Sequence, residues 1–168
     1  LKKKFLYYKD YAGKTIEEVM TADQLKKAKT YHFYNPSSSL AVNLGQFKFE
    51  LKELPGEAQF APVYAINSID VNQDGNQDLV LGGNFYAVKP EIGRYDDMPG
   101  LLLVGDGKGE FKAMPFDRSG LNVRGEIKAI KVVRTRKGEV LAIARNNDSM
   151  KLYGAKIGRA SCRERVSS

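Results

Sequence analysis

The chain has 168 residues, 42% of them hydrophobic and 28% charged, a globular mixture that excludes disorder throughout. Its formal charge of +7 is interleaved with acids, as in "FKFELKELPGE", and only "KVVRTRKG" at 131–138 gathers cations, so nucleic acid is not an expected partner. No run approaches the roughly 18 apolar residues of a membrane-spanning helix, and no apolar core follows the lysines of "LKKKFLYYKDYAGK", so this segment carries neither anchor nor signal.

The first residue is Leu1, and the natural start is expected upstream, where any secretion signal would lie. Residues 1–36 read as a helical or irregular lead-in with two capping boxes, Thr15 with Glu18 in "TIEE" and Thr21 with Gln24 in "TADQ". "NPSSS" at 35–39 is a turn or linker, and after it the pattern is strands. "LAVNLGQFKFELKEL" alternates at Phe47, Phe49 and Leu51 and predicts one half-buried strand. "APVYAINSI" and "LVLGGNF" are denser in apolar residues, which predicts strands covered on both faces. "LLLVGDGKGEFKAM" predicts a hairpin turning at "GDGKG", and "EIKAIKVVR", "EVLAIAR" and "MKLYG" complete the series.

Within that series lies an echo. Pro55 answers Pro115, Ile66 answers Ile130, and the strand-like stretches around them recur in the same order. A repeat of about four strands is the signature of a propeller blade, which cannot bury its faces without neighbours. The expected fold class is therefore mainly β: an incomplete β-propeller of about two blades of antiparallel strands over 37–154, behind a short helical N-terminal segment. A small sandwich with accidental similarity is the other architecture open at this point. The missing blades of a parent chain are then the first expected partners.

The end of the chain departs from the pattern. "IGRASCRERV" at 157–166 has no hydrophobic period and matches one reading frame of a common sequencing adapter, so 155–168 is expected to be a non-native tail. Setting Arg159, Arg163, Arg165 and Glu164 aside lowers the charge from +7 to +5, and setting Cys162 aside leaves no thiol for disulfide, zinc or nucleophile chemistry.

"DVNQDGNQD" at 70–78 carries the most specific chemistry. Calcium takes six to eight oxygen ligands, and alternation along a tight loop turns every second side chain toward one centre. Asp70, Asn72, Asp74 and Asp78 supply side-chain oxygens, the carbonyl of Asn76 supplies another, and Gly75 permits the bend. The twelfth position, where a helix–loop–helix calcium motif needs glutamate, is Leu81, and both flanks are strand-like, so the loop must close at Asp78. Carboxylates converging without a cation would repel, so Ca2+ is the expected cofactor, in a structural role. A polar turn capped by its own side chains is the alternative.

Strand, then D-x-[DN]-x-D-G-x-x-D, then strand resembles the FG-GAP/VCBS repeats of integrin-type β-propellers. With "LPGEAQFAPVYAI", "LVLGGNFYAVKPEIGRYDD" and "GLLLVGDGKGEFKAM", residues 1–154 resemble the C-terminal end of large bacterial members related to the cartilage-acidic-protein group. The resemblance implies calcium at Asp70, Asn72, Asp74, Asn76 and Asp78, and an extracellular or cell-surface binding scaffold. The next repeat turns at "TRKG", with cations where acids would be needed, and should hold no ion.

The longest connection between strands, 85–100, mixes Tyr86, Lys89, Arg94, Tyr95 and Asp96, a set suited to a glycan or protein ligand, or to packing the loop onto a neighbouring blade. Catalysis has little support: His32 is the only histidine and sits among aromatics, and no nucleophile or metalloprotease motif is present. The rival reading is part of a carbohydrate-active enzyme whose site lies in propeller loops or upstream.

Overall fold

The computed structural model describes residues 4–136 and 138–154. The expected non-native tail, 155–168, lies outside the described residues. The chain divides into two compact units, Leu1–Pro36 and Ser37–Ser168.

Three short helices make up the first unit: α1 (Tyr8–Tyr11), α2 (Ile16–Val19) and α3 (Ala22–Lys27), none with a buried residue. Reciprocal caps start two of them. The Glu18 carboxylate accepts from the Thr15 amide at 2.9 Å, while Thr21 and Gln24 exchange bonds between backbone amide and side chain at 2.9 and 3.3 Å. No helix among the described residues is long and apolar enough to cross a membrane.

Among the described residues the second unit is mainly β, with nine strands in three antiparallel sheets and no closed barrel. The predicted single strand "LAVNLGQFKFELKEL" is instead a hairpin of β1 (Ser39–Gly45) and β2 (Lys48–Glu53). Gln46 and Phe47 make its turn with φ of 48° and 59°, a conformation usually reserved for glycine or asparagine. Phe47 is therefore wholly exposed at the tip rather than half-buried, and Phe49 and Leu51 are exposed as well.

A four-stranded meander follows: β3 (Val63–Ile69), β4 (Asp78–Gly83), β5 (Leu101–Gly105) and β6 (Phe111–Met114), in that spatial order. β4 is covered on both faces, as its dense apolar run predicts. β3 is not, because Ala65 and Ile69 turn inward while Tyr64 and Ile66 remain exposed. The third sheet is β7 (Ile127–Thr135), β8 (Gly138–Arg145) and β9 (Asp148–Gly154).

One core lies between the second and third sheets, built from Ala65, Val80, Leu102, Ile127, Ile130, Leu141, Ile143 and Tyr153. The opposite face of the second sheet buries Leu81 and Leu103 against Ala58, Ala61 and Met98, with Leu54 at its margin. The middle sheet is thus sandwiched.

The sequence echo is also an echo of register. The β3–β4 ladder shifts between Val63 and Ala65, and the β7–β8 ladder shifts between Ile127 and Ala129. One pair further on, Ile66 faces Leu81 and Ile130 faces Ile143. Each outer hairpin also ends in proline. Pro55 starts the 3-10 turn Gly56–Gln59, and Pro115 starts α4 (Phe116–Ser119), both in extended conformation.

Candidate functional site

The acidic loop joins β3 to β4, and the alternation of its side chains folds it around Asp70. One Asp70 oxygen accepts the amides of Gln73 and Asp74 at 2.7 and 3.2 Å, and the other accepts that of Gly75 at 2.9 Å. Positive φ at Gln73 and Gly75 lets those amides turn inward. Asp74 accepts from the Asn76 amide at 2.8 Å and from the Asn72 side-chain amide at 2.7 Å. These bonds, the Asn76 amide first, hold the Asp74 carboxyl below its ordinary value.

Asp78 sits differently. It is wholly buried, and its oxygens accept the Val71 amide and, from the end of β5, the Gly105 amide, each at 2.9 Å. The fifth expected ligand residue, Asn76, lies with its side-chain oxygen against Gly107 in the β5–β6 turn. That turn has its own acid: Asp106 accepts the amides of Lys108 and Glu110 at 2.7 and 3.0 Å.

Do these residues suit a hard divalent cation? In kind they do, for carboxylate and amide oxygens match what calcium takes, and a carboxylate offers about four acceptor positions, so Asp70 and Asp74 retain capacity beyond their bonds to the loop. In arrangement the loop is self-capped. Among the described residues no group of three or more His, Cys, Asp or Glu side chains stands gathered about a common point. Asn72 aims its amide hydrogens at Asp74, so a cation would require that amide to turn over.

The second hairpin shows what replaces the loop. Ile69 pairs with Asp78 where the first ladder ends, and Val133 pairs with Val140 at the corresponding place. There the ladder continues through Arg134 with Glu139 to Thr135 with Gly138. Valine stands where the buried Asp78 stands, and arginine where Asp70 stands.

The 85–100 connection leaves the other end of β4. Four of its five candidate residues come together. The Tyr86 hydroxyl donates to Asp96, the Arg94 guanidinium lies 5.1 Å from the Tyr86 ring centroid, and Tyr95 exchanges backbone bonds with Phe85 at 2.9 and 3.0 Å. Lys89 is exposed and takes no part in that cluster.

Two polar residues that the pattern did not single out, Asn84 and Glu126, hold this loop in place. Buried Asn84 accepts from the Met98 amide at 2.9 Å and donates to the Gly125 carbonyl at 3.1 Å and to Asp96 at 3.3 Å. The Glu126 carboxylate accepts the Tyr86 amide at 2.8 Å and the Asn146 side chain at 2.6 Å. A lone asparagine after "LVLGG" and an acid just before an apolar strand were the available signals. Through these bonds the loop is fastened to the residues that flank the third sheet.

This network titrates at both extremes of pH. The Tyr86 amide, then Asn146, hold Glu126 below its ordinary 4.5, so its contribution to stability is present above that value and is lost as pH falls below it. Burial, then the Asp96 hydrogen bond, push the Tyr86 phenol up to about 12. Its contribution is present below the ordinary 10.0 and is lost as pH rises through the folded value. Alkaline titration by ultraviolet absorbance should therefore show a late step that loses the amplitude of one phenol in Tyr86→Phe. An unchanged late step in that variant would refute the assignment.

Compared with protein-family models, curated proteins and solved structures, the chain matches none.

Proposed function

We propose that the chain is a calcium-stabilised repeat module of a β-propeller, working as an extracellular or cell-surface binding scaffold. The carrying observation is the shared register of the β3–β4 and β7–β8 hairpins, with the ladder shift in the same place and the acidic loop on the first alone. Repetition of one supersecondary unit supports a blade architecture, in which the chain supplies an outer hairpin, a whole four-stranded blade and three strands of another.

Unequal burial of equivalent residues supports neighbouring blades as partners. Ile130 is 2% exposed in the core between the second and third sheets, whereas Ile66, its counterpart, is 59% exposed. A face of that kind suits burial against further strands. Calcium held by Asp70, Asn72, Asp74, Asn76 and Asp78 would supply positive charge to a loop carrying three carboxylates, stabilising the sheet end from which it projects. Tyr86, Arg94, Tyr95 and Asp96, at the opposite end of β4, form the candidate surface for a protein or glycan ligand.

Thermal melting with calcium and with chelator tests the metal. A structural ion at a hundred times its dissociation constant should add about 2.7 kcal/mol of stability. Asp74→Ala should melt like wild type in chelator and fail to respond to calcium. A calcium response that survives in Asp74→Ala would remove the loop from consideration.

A further inference from the structure

A groove of about 300 Å³ opens beside the middle sheet, away from the acidic loop, and its wall chemistry is uneven. Met98, Leu101, Ala113 and Met114 give it an apolar floor, and Phe60 and Phe116, 59% and 64% exposed, stand in its walls. The polar side chains lining it are two carboxylates, Glu57 and Asp97. Neither takes part in an ion pair or side-chain hydrogen bond among the described residues. Asp96, its neighbour, is by contrast bonded to Tyr86 and Asn84.

Two acceptor-only anions over thioether and aromatic surface are complementary to a cation on an apolar stem. An anion would be repelled by the two carboxylates. Exposed aromatic rings favour an ammonium through the ring quadrupole, and the carboxylates favour it by charge. A second hollow of about 410 Å³ shares Asp97, Pro99 and Phe116 with the first and is lined further by Asn122 and Arg124. It supplies room and hydrogen-bonding groups for the peptide backbone that would carry such a side chain.

We infer that this groove binds a lysine side chain presented by a protein or peptide, its methylene stem between Phe60 and Phe116 and its ammonium at Asp97 and Glu57. The inference is independent of the calcium reading, since no residue of the acidic loop lines the groove.

The test is an NMR titration of the full chain with Nα-acetyl-lysine methylamide. Saturable shifts should appear at Phe60, Met98, Met114 and Phe116, with a dissociation constant on the order of millimolar. The Nε-acetylated compound, which keeps the stem and lacks the charge, should bind roughly tenfold more weakly. Asp97→Asn should weaken the lysine compound by a similar factor while leaving the wild-type spectrum elsewhere, which separates lost affinity from lost fold. Three results would each overturn the inference: no shifts in the groove, equal binding of the acetylated compound, or full affinity in Asp97→Asn.

Discussion

Asp78→Ala should lower the unfolding free energy by on the order of 3 kcal/mol in calcium-free buffer, before any metal is considered. The carboxylate is wholly buried and accepts the Val71 and Gly105 amides, so its removal strands two buried donors. Asp78→Asn is the sharper variant, because one oxygen becomes a donor facing an amide that also donates. It should recover the shape yet remain clearly destabilised. Asp70 and Asp74 bond only to the exposed loop itself, so alanine there should cost little without calcium. Urea denaturation of the four variants checks the order: both Asp78 variants well below wild type, the other two close to it.

Gly105→Ala should be nearly as damaging, by on the order of 2–3 kcal/mol, and for a steric reason. A Cβ at this position would lie 2.3 Å from the Gln77 carbonyl oxygen and 3.1 Å from the Phe111 ring. The first contact is with backbone, which cannot swing aside as a flexible side chain would. The same residue donates its amide to Asp78, so displacing β5 also lengthens that bond. Gly56 provides the control, since nothing lies within 4 Å of a Cβ there. A shift in denaturation midpoint with unchanged slope for Gly105→Ala, and little shift for Gly56→Ala, is the expected pattern. Equal midpoints would mean that the acidic loop and β5 are not locked together.

Both predictions concern one joint, and that joint shows where sequence reading stops. The alternation of Asp70, Asn72, Asp74, Asn76 and Asp78 around Gly75 was visible as a spacing, and so was the closure of the loop between two strands. That Asp78 differs from the other acids was not visible. Its burial depends on an amide from β5, a strand that follows the 85–100 connection, and no local pattern reports such a partner. Asn84 and Glu126 escaped for the same reason, since their importance lies in the Met98, Gly125 and Tyr86 backbone groups that they satisfy.

Strands with strong local signals were legible. The turn glycines around Asp106 and the dense apolar runs of β4 and β5 located the middle sheet. The β1–β2 hairpin reads in sequence as one strand because its turn uses Gln46 and Phe47, residues that ordinarily avoid positive φ. β3 was expected to be covered on both faces because Tyr64 and Ile66 count as apolar, yet burial follows from what stands opposite, and both are exposed. Sequence composition records a preference for cover; the neighbouring sheet provides it or does not.

Isothermal titration with calcium directly tests the proposed cation in the loop between β3 and β4. The prediction is a single saturable site on the wild-type chain, lost when Asp70 and Asp74 are both replaced by alanine while the variant stays folded in chelator. Absence of heat at millimolar calcium from well-folded protein, or undiminished binding in the double variant, would contradict it.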